Sequence, residues 1–230
     1  MKDKVNIICL FWVGDYRGRA FTETDIYRLR ETVDKWIDRP YDFYCLTNRP
    51  DADLPAIKIL FKHTWPGWWA KVELFRPDLP CGKTLYLDTD THIVRSLQPI
   101  LDFPCKDLVM FPSKENKKIW GVLHSDGWVH RYQASTMLFQ PGALVWLYYK
   151  FKENAENYMG LYRGEQDMYG KLIPNQPTFP REWLLKTEAL KTGLPEETII
   201  VTGQGPTYDF RDPWFAPNLN KIAREKEVCM

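Results

Sequence analysis

The chain has 230 residues, of which 44% are hydrophobic and 27% are charged. This composition is typical of one globular domain with a sizeable core, and it excludes a disordered or fibrous chain. The 31 basic and 30 acidic residues leave a net charge of +1, so charge does not indicate binding to nucleic acid or to an anionic membrane. A local basic patch at Lys114, Lys117 and Lys118 is compatible with this balance.

The cysteines and the apolar runs of the sequence indicate the cellular compartment and the absence of a predicted membrane span. The five cysteines are scattered and contain no C-x-x-C pair: Cys9, Cys45, Cys81, Cys105 and Cys229. This odd set predicts neither a disulfide framework nor a zinc cluster, and it favours a reducing, cytoplasmic environment. Residues 5–13 form an apolar run that is too short to span a bilayer and lacks a cleavage site, which argues against a signal peptide. No other run is long enough, so we expect no membrane span.

The N-terminal region predicts a strand followed by a helix. Residues 5–13 are almost continuously apolar, which is typical of a parallel strand covered on both faces. Thr22 and Asp25 resemble a capping box, which predicts a helix start. The apolar positions after it recur at helical spacing until Pro40: Ile26, Leu29, Val33, Trp36 and Ile37. We therefore expect an amphipathic helix packed on the first strand.

Two further strands and a short helix are predicted next. Residues 41–46 and 56–61 have strand patterns on either side of the turn Asn48-Arg49-Pro50-Asp51. Strand, helix, strand is the opening of an α/β sheet. Residues 68–75 place Trp68, Val72 and Phe75 on one side and stop before Pro77, which predicts a short helix.

The remaining elements follow a buried strand at residues 83–87. Downstream, strands are predicted at 108–111, 135–140 and 198–202, and helices at 143–158 and 165–171. Residues 113–133 contain an Asp126-Gly127 turn signal and are compatible with either a long functional loop or a hairpin. No repeats or linker-like tracts interrupt the chain, so we expect one domain.

The most informative segment is Asp88-Thr89-Asp90, directly after the strand at 83–87. Two carboxylates separated by one residue lie on the same side of an extended chain. Their mutual repulsion is relieved by a hard divalent cation such as Mg²⁺ or Mn²⁺, which leaves positions open for phosphate oxygens. Open α/β sheets bind ligands at the carboxyl ends of their strands. The alternative is that Asp88 caps the following turn and Asp90 is solvated.

With its surroundings, this segment resembles the GT-A-fold glycosyltransferases that use nucleotide sugars, closest to the group of glycogenin and bacterial lipopolysaccharide galactosyltransferases. The resemblance covers residues 69–75, 82–91 and 97–101, and weaker matches extend over most of the chain. It implies an α/β fold with a single GT-A-like (Rossmann-like) domain over 1–230, a mixed, mainly parallel sheet and flanking helices. Residues 1–100 would mainly bind the nucleotide sugar, and residues 101–230 would mainly form the acceptor side.

The resemblance also assigns roles around the two carboxylates. Asp88 would contact the ribose and the metal, Asp90 would hold the metal, and Thr89 would belong to the same donor site. Lys71 would assist at the donor, although a solvated helix lysine is an equally good interpretation of its position. Mn²⁺ or Mg²⁺ is the implied cofactor.

Residues 11–16 resemble the strand-end loop that receives the base of the donor, for which UDP is the implied nucleotide. Phe11, Trp12, Asp15 and Tyr16 are the candidates in this loop, with Tyr16 as the stacking ring. An exposed turn tyrosine without a ligand is the alternative for Tyr16.

Two downstream segments resemble parts of the family's reaction centre. Residues 135–141 resemble the strand beneath the donor sugar. Glu165, Gln166 and Asp167 resemble the segment at the reacting carbon, where carboxylate or amide oxygens stabilise an oxocarbenium-like state. Both an inverting and a retaining reaction are compatible with these residues. The alternative is an acidic first turn of a helix, with Asp167 solvated.

The C-terminal region departs from the family pattern. Thr202 stands where relatives place a metal-binding His, and a hydroxyl is a poorer ligand than an imidazole. Asp209 or His92 could supply another ligand, or the metal could bind chiefly with the nucleotide. Arg211 is a candidate for the role of a phosphate-binding Lys, with a plain loop cation as the alternative.

The sequence therefore favours a metal-dependent glycosyltransferase with an unidentified acceptor. The acceptor could be a lipid-linked glycan, a polysaccharide, a protein side chain or a nucleobase, so nucleic acid is not excluded there. The alternatives are a nucleotidyltransferase, which lacks a glycine-rich phosphate loop here, and a non-catalytic nucleotide-sugar-binding protein. The ten tryptophans suggest sugar stacking, especially around Trp65, Trp68, Trp69, Trp120 and Trp128, but no individual acceptor role is assigned because most buried tryptophans fill the core. The structural interpretation is the default for His63, His124 and His130, which show no ligand spacing.

Overall fold

A computed structural model of the chain describes residues 3–14, 21–113, 131–187 and 193–203. Its main sheet has six strands in the order β3-β2-β1-β4-β7-β6. Their bounds are β1 Val5–Phe11, β2 Tyr41–Thr47, β3 Ile57–Leu60, β4 Thr84–Leu87, β6 Leu108–Pro112 and β7 Tyr132–Phe139. Neighbouring strands from β3 to β4 are parallel, whereas β7 is antiparallel to both β4 and β6. The predicted mixed, mainly parallel α/β sheet is confirmed.

Both faces of the sheet are covered, which explains the apolar sequence of β1. All seven residues of β1 are buried. Ile8 and Leu10 face one core, which contains the segment Gly67–Phe75, and Ile7 and Cys9 face the other. Because successive side chains of a strand alternate between faces, a strand between two cores must be apolar at every position.

The first helix, α1, spans Glu23–Trp36 and begins at the predicted cap. The Thr22 N–H and hydroxyl donate to the Asp25 carboxylate at 2.8 and 3.0 Å. Ile26, Leu29 and Val33 form its buried face, in agreement with the predicted periodicity.

Residues Gly67–Phe75 form a 3₁₀ helix, and not the one-sided α-helix that the apolar pattern predicts. Seven consecutive residues of this helix are buried, from Trp69 to Phe75. Its end is pinned by Glu73, which is fully buried and accepts bonds from Lys62 N (2.8 Å), His63 N (2.9 Å) and Arg76 Nη1 (2.7 Å). Tertiary contacts of this kind override a local periodicity.

The C-terminal half differs from the prediction in its boundaries. The single helix expected at 143–158 is two helices, α3 (Val145–Glu153) and α4 (Ala155–Leu161), which meet at Asn154. Asn154 has a non-helical conformation, with φ −141° and ψ 39°, and asparagine tolerates such breaks well. Helix α5 spans Glu165–Leu172. A short helix α2 covers Gln98–Leu101 and a 3₁₀ turn covers Arg181–Trp183.

A second, three-stranded sheet lies next to the end of β4. It consists of β5 (Thr91–Ile93), β9 (Ile200–Thr202) and β8 (Leu184–Lys186), in the order β5-β9-β8. The sequence patterns predict β9 only, as a longer strand at 198–202. Since β5 starts one residue after Asp90, the Asp88-Thr89-Asp90 segment is the connection between the two sheets. Within the described residues, no helix is long and apolar enough to cross a membrane.

Glu73 offers a test of how the 3₁₀ helix is held. Replacing Glu73 by Gln removes the negative charge beside the buried Arg76 guanidinium and exchanges one of the two carboxylate oxygens, which together accept from Arg76 and from the N–H groups of Lys62 and His63, for an NH2 group that cannot accept. We expect the free energy of unfolding to fall by about 3 kcal/mol, measured by urea denaturation. Glu31→Gln, at an exposed position of α1, is the control and should change it by less than about 0.5 kcal/mol. Equal effects of the two variants would contradict this role.

Candidate active site

The Asp88-Thr89-Asp90 segment is fixed by main-chain bonds at the carboxyl end of β4. Asp88 N donates to Ser135 O of β7 at 2.8 Å, and Thr91 N donates to Asp88 O at 2.9 Å. The Thr89 hydroxyl donates to Leu10 O of β1. The donating proton of Thr89 is thus used inside the protein, which ties the ends of β4 and β1 together.

Lys71 connects Asp88 with Glu165. Lys71 is 9% exposed, and its Nζ lies 2.8 and 3.1 Å from the two Asp88 carboxylate oxygens and 3.1 Å from Glu165 Oε1. It also lies 3.3 Å from Ala134 O of β7. Burial alone would lower the pKa of Lys71, but Asp88 and Glu165 outweigh burial and raise it above its ordinary value. Lys71 is therefore a permanent buried cation, and the solvated-lysine interpretation is wrong.

The Asp88 carboxylate is contacted from two sides. In addition to Lys71, the Tyr86 phenol donates to its carboxylate. Burial and the charge of Asp88 raise the pKa of Tyr86 well above its ordinary value, so this phenol keeps its proton and remains a donor. Asp88 does not cap the turn with its side chain, because its carbonyl and not its carboxylate accepts the bond from Thr91 N.

Asp90 is half-buried beside a second carboxylate. Burial, and then the negative charge of Asp88, raise the pKa of Asp90 from 3.8 to about 7, while the charges of Lys71 and Lys186 oppose the rise. The interpretation of Asp90 as a freely solvated side chain is therefore wrong. A carboxylate whose charge is destabilised in this way is favoured as a ligand for a cation or a proton.

Glu165, Gln166 and Asp167 form the first turn of α5, and this turn faces the same cluster. Glu165 is 1% exposed and Asp167 is 7% exposed, so the expectation that Asp167 is solvated is wrong. Burial raises the pKa of Glu165, and the Lys71 ammonium offsets part of that rise. Gln166 is half-buried, and its Oε1 accepts a bond from Ala134 N at 3.0 Å. The structure thus brings α5 onto the β7 strand beside Lys71.

The candidates for the base-binding loop are only partly described. The Phe11 ring is 3% exposed and lies in the core that contains α1, which leaves only its main chain to a ligand. Trp12 is half-buried. Asp15 and Tyr16 lie outside the described residues, as do Arg211, Asp209 and the basic patch of residues 114–118.

Thr202 and His92 belong to the second sheet. Thr202 is 1% exposed and pairs with Thr91 in the antiparallel ladder, and its Oγ1 accepts a bond from Gln133 Nε2 at 3.5 Å. Burial lowers the pKa of His92 to about 4, and Lys35 and Arg28 of α1 contribute to this shift. In the described part of the chain, no three His, Cys, Asp or Glu side chains converge to hold a metal. His92 therefore does not complete a set with Asp88 and Asp90.

The oxygen ligands available at the site suit a hard divalent cation. Asp88 and Asp90 supply carboxylate oxygens, and the hydroxyl of Thr202 lies in the neighbouring ladder. Such oxygen donors suit Mg²⁺ or Mn²⁺, which commonly complete their coordination with water and phosphate oxygens. Two carboxylates are a small protein ligand set, so binding together with a diphosphate is the arrangement that this chemistry favours.

Two residues of the site escape the sequence analysis. Lys186, on β8, lies close enough to Asp90 to favour its negative charge, and its register partner is Thr202. Gln133 bridges Ser135 Oγ at 3.3 Å and Thr202 Oγ1 at 3.5 Å. No local sequence pattern predicts either residue, because each lies at the site through a contact with Thr202, which is distant in the sequence.

The raised pKa of Asp90 predicts a stability cost in the absence of metal. An aspartate in the unfolded chain ionises near pH 3.8, whereas Asp90 in the folded protein ionises near pH 7. Between these values the folded protein binds more protons, so stability decreases as pH rises. We expect Asp90→Asn to raise the free energy of unfolding by about 1–4 kcal/mol at pH 8 and by less at pH 4.5, measured by urea denaturation with EDTA. A variant that is less stable than wild type at pH 8, or one whose stability differs from that of wild type by the same amount at both pH values, would contradict this.

Comparisons with known proteins identify the fold of this chain. A scan of protein families and a search of curated proteins give no match. Two crystal structures of the galactosyltransferase LgtC are similar over 96% of this chain and 95% of LgtC: a complex with donor and acceptor sugar analogues (TM-score 0.62, 14% identity) and an active-site mutant in which Gln is replaced by Glu (TM-score 0.63, 15% identity). The glycosyltransferase GlyE of Streptococcus pneumoniae TIGR4 is similar over 97% of this chain and 63% of GlyE (TM-score 0.61, 14% identity), so this chain spans less than two thirds of GlyE. The chain has a GT-A-like glycosyltransferase fold.

Proposed function

We propose that this chain is a glycosyltransferase that moves a sugar from a nucleotide diphosphate, with UDP as the nucleotide, to an acceptor. One observation carries the proposal. Asp88, Asp90, Lys71 and Glu165 form one charged cluster at the carboxyl end of a parallel strand, in a chain with the fold of LgtC. Ligands of open α/β sheets bind at this edge. Sugar transfer is also the activity named for both LgtC and GlyE.

In the proposed reaction, the bond between the anomeric carbon and the diphosphate oxygen breaks and a bond to the acceptor oxygen forms. The acceptor gives up its proton, and negative charge develops on the departing diphosphate. Lys71 and Lys186 provide two ammonium groups next to the carboxylate pair. Each would stabilise the leaving diphosphate, and Asp88 and Glu165 hold Lys71 in place for this role.

Asp88 and Asp90 would hold the divalent cation, Mg²⁺ or Mn²⁺. When bound, this cation neutralises charge on the leaving group. Asp90 would be the more accessible of the two ligands, since Lys71 and Tyr86 already occupy Asp88. Protonation of Asp90 near neutral pH would compete with cation binding, so metal affinity should increase from pH 6 to pH 8.

A product assay separates the proposal from its two rivals. The protein is incubated with a panel of nucleotide sugars with Mn²⁺, Mg²⁺ or EDTA, and UDP and pyrophosphate are quantified. Release of UDP, including slow release by donor hydrolysis, supports sugar transfer. Release of pyrophosphate identifies a nucleotidyltransferase instead. Donor binding in a thermal-shift assay without release of either product identifies a non-catalytic binding protein.

Asp90 gives the sharpest activity prediction. Asp90→Asn should reduce UDP release at least 100-fold, because an amide is a poor ligand for a hard cation, while circular dichroism and the thermal melting temperature show an intact fold. Asp3→Asn changes an exposed aspartate near the N-terminus and serves as the matched control, with unchanged activity. Undiminished turnover by Asp90→Asn would contradict the proposed metal site.

Gln166 is the proposed side chain at the reacting carbon, and the glutamine in the active site of LgtC supports this choice. Gln166→Glu retains an oxygen that can accept the bond from Ala134 N, so the fold should be retained. Removing the amide group should nevertheless lower UDP release by about 10-fold or more. The measurement compares kcat of Gln166→Glu with that of Gln140→Glu, which changes a half-buried glutamine directly after the C-terminal end of β7. Equal kcat values for both variants and wild type would exclude this role of Gln166.

A further inference from the structure

Asn48 bonds to both main-chain polar groups of Val13 with its side chain. Its Oδ1 accepts from Val13 N at 3.0 Å, and its Nδ2 donates to Val13 O at 2.6 Å. The regular pairing of β1 with β2 ends at Phe11 and Thr47. The amide of Asn48 therefore continues the β1 ladder for the residues that follow, in the place where a further strand residue would pair.

The turn that carries Asn48 is itself well fixed. Arg49 N donates to Thr47 Oγ1 at 3.0 Å, and Phe61 N donates to Thr47 O at 3.1 Å. The Lys58 ammonium donates to Pro50 O at 2.7 Å and to Ala52 O at 3.0 Å. Asn48 thus projects from a turn with few remaining degrees of freedom, which makes it a suitable anchor for a neighbouring loop.

The anchored segment is Trp12-Val13-Gly14, where β1 leaves the sheet. Its Trp12 ring packs against Gly14 so closely that a Cβ at Gly14 would lie 2.4 Å from the ring. Three residues before Val13, Leu10 O accepts the bond from Thr89 of the Asp88-Thr89-Asp90 segment. Asn48 therefore orders a stretch of chain that is linked to the proposed catalytic carboxylates.

We propose that Asn48 is a positioning residue for nucleotide binding, which acts by pre-ordering residues 12–14 before the donor arrives. This inference rests on the proposed function. Asn48 is exposed and its two bonds are open to solvent, so they contribute little to global stability. Their contribution to binding is larger, because a loop that is ordered in advance loses less conformational entropy when a ligand binds.

The test combines hydrogen exchange with calorimetry on the full chain. In Asn48→Ala, amide exchange of the peptide that contains Val13 should become at least 5-fold faster without any nucleotide. UDP in the presence of Mn²⁺ should bind about 3- to 30-fold more weakly, and the donor KM should rise while kcat stays within 2-fold. Asn48→Asp retains the side-chain acceptor for Val13 N and loses the donor to Val13 O, so its UDP affinity should lie between those of wild type and Asn48→Ala. Asn157→Ala, at an exposed position of α4, is the control and should change none of these values.

The outcomes separate this inference from the proposed function. If wild type binds UDP and Asn48→Ala binds it equally well, the role of Asn48 is refuted and the proposed function stands. If the thermal melting temperature of Asn48→Ala falls by more than 5 °C with loss of UDP binding, the residue is structural and the inference is also refuted. If wild type binds no UDP with Mn²⁺ or Mg²⁺, both fail.

Discussion

The arrangement of the site depends on one buried cation. Lys71 reaches from the 3₁₀ helix to Asp88 at the end of β4, to Glu165 at the start of α5 and to the β7 backbone at Ala134. Four elements that are distant in sequence therefore meet at a single ammonium group. A buried ammonium is tolerated only when carboxylates and carbonyls surround it. The same requirement links the positions of Asp88 and Glu165, since both carboxylates contact the one Lys71 ammonium.

Asp88 and Asp90 differ in how well their surroundings accommodate a negative charge. Asp88 has two donors in Lys71 and Tyr86, whereas Asp90 is half-buried with a pKa raised to about 7. Groups of this kind reduce the stability of the folded protein and are characteristic of functional sites. The connection between the two sheets places this unfavourable charge at the edge where the fold binds ligands. A divalent cation with a diphosphate would complete the charge balance.

Local sequence patterns predict the elements whose structure depends on neighbouring residues. The apolar run of β1, the Thr22–Asp25 cap and the Asp88-Thr89-Asp90 segment all lie where these patterns predict them. Features that depend on tertiary contacts are not predicted in this way. The burial of Glu73 and Arg76 turns a helical pattern into a 3₁₀ helix, and the pairing of β8 with β9 brings Lys186 to Asp90. Glu73 also accepts from main-chain groups ten and eleven residues before it, and Lys186 is ninety-six residues after Asp90, so no local spacing rule detects these contacts.

The central claim is that the carboxylate pair binds a nucleotide diphosphate through a divalent cation. Isothermal titration of UDP into the wild-type protein at pH 8, in Mn²⁺, in Mg²⁺ and in EDTA, tests it most directly. We predict saturable binding at one site with either cation and at least a 10-fold loss of affinity in EDTA, consistent with the charge that the cation neutralises. Absence of UDP binding in all three conditions, or an affinity that does not depend on the cation, would contradict the claim.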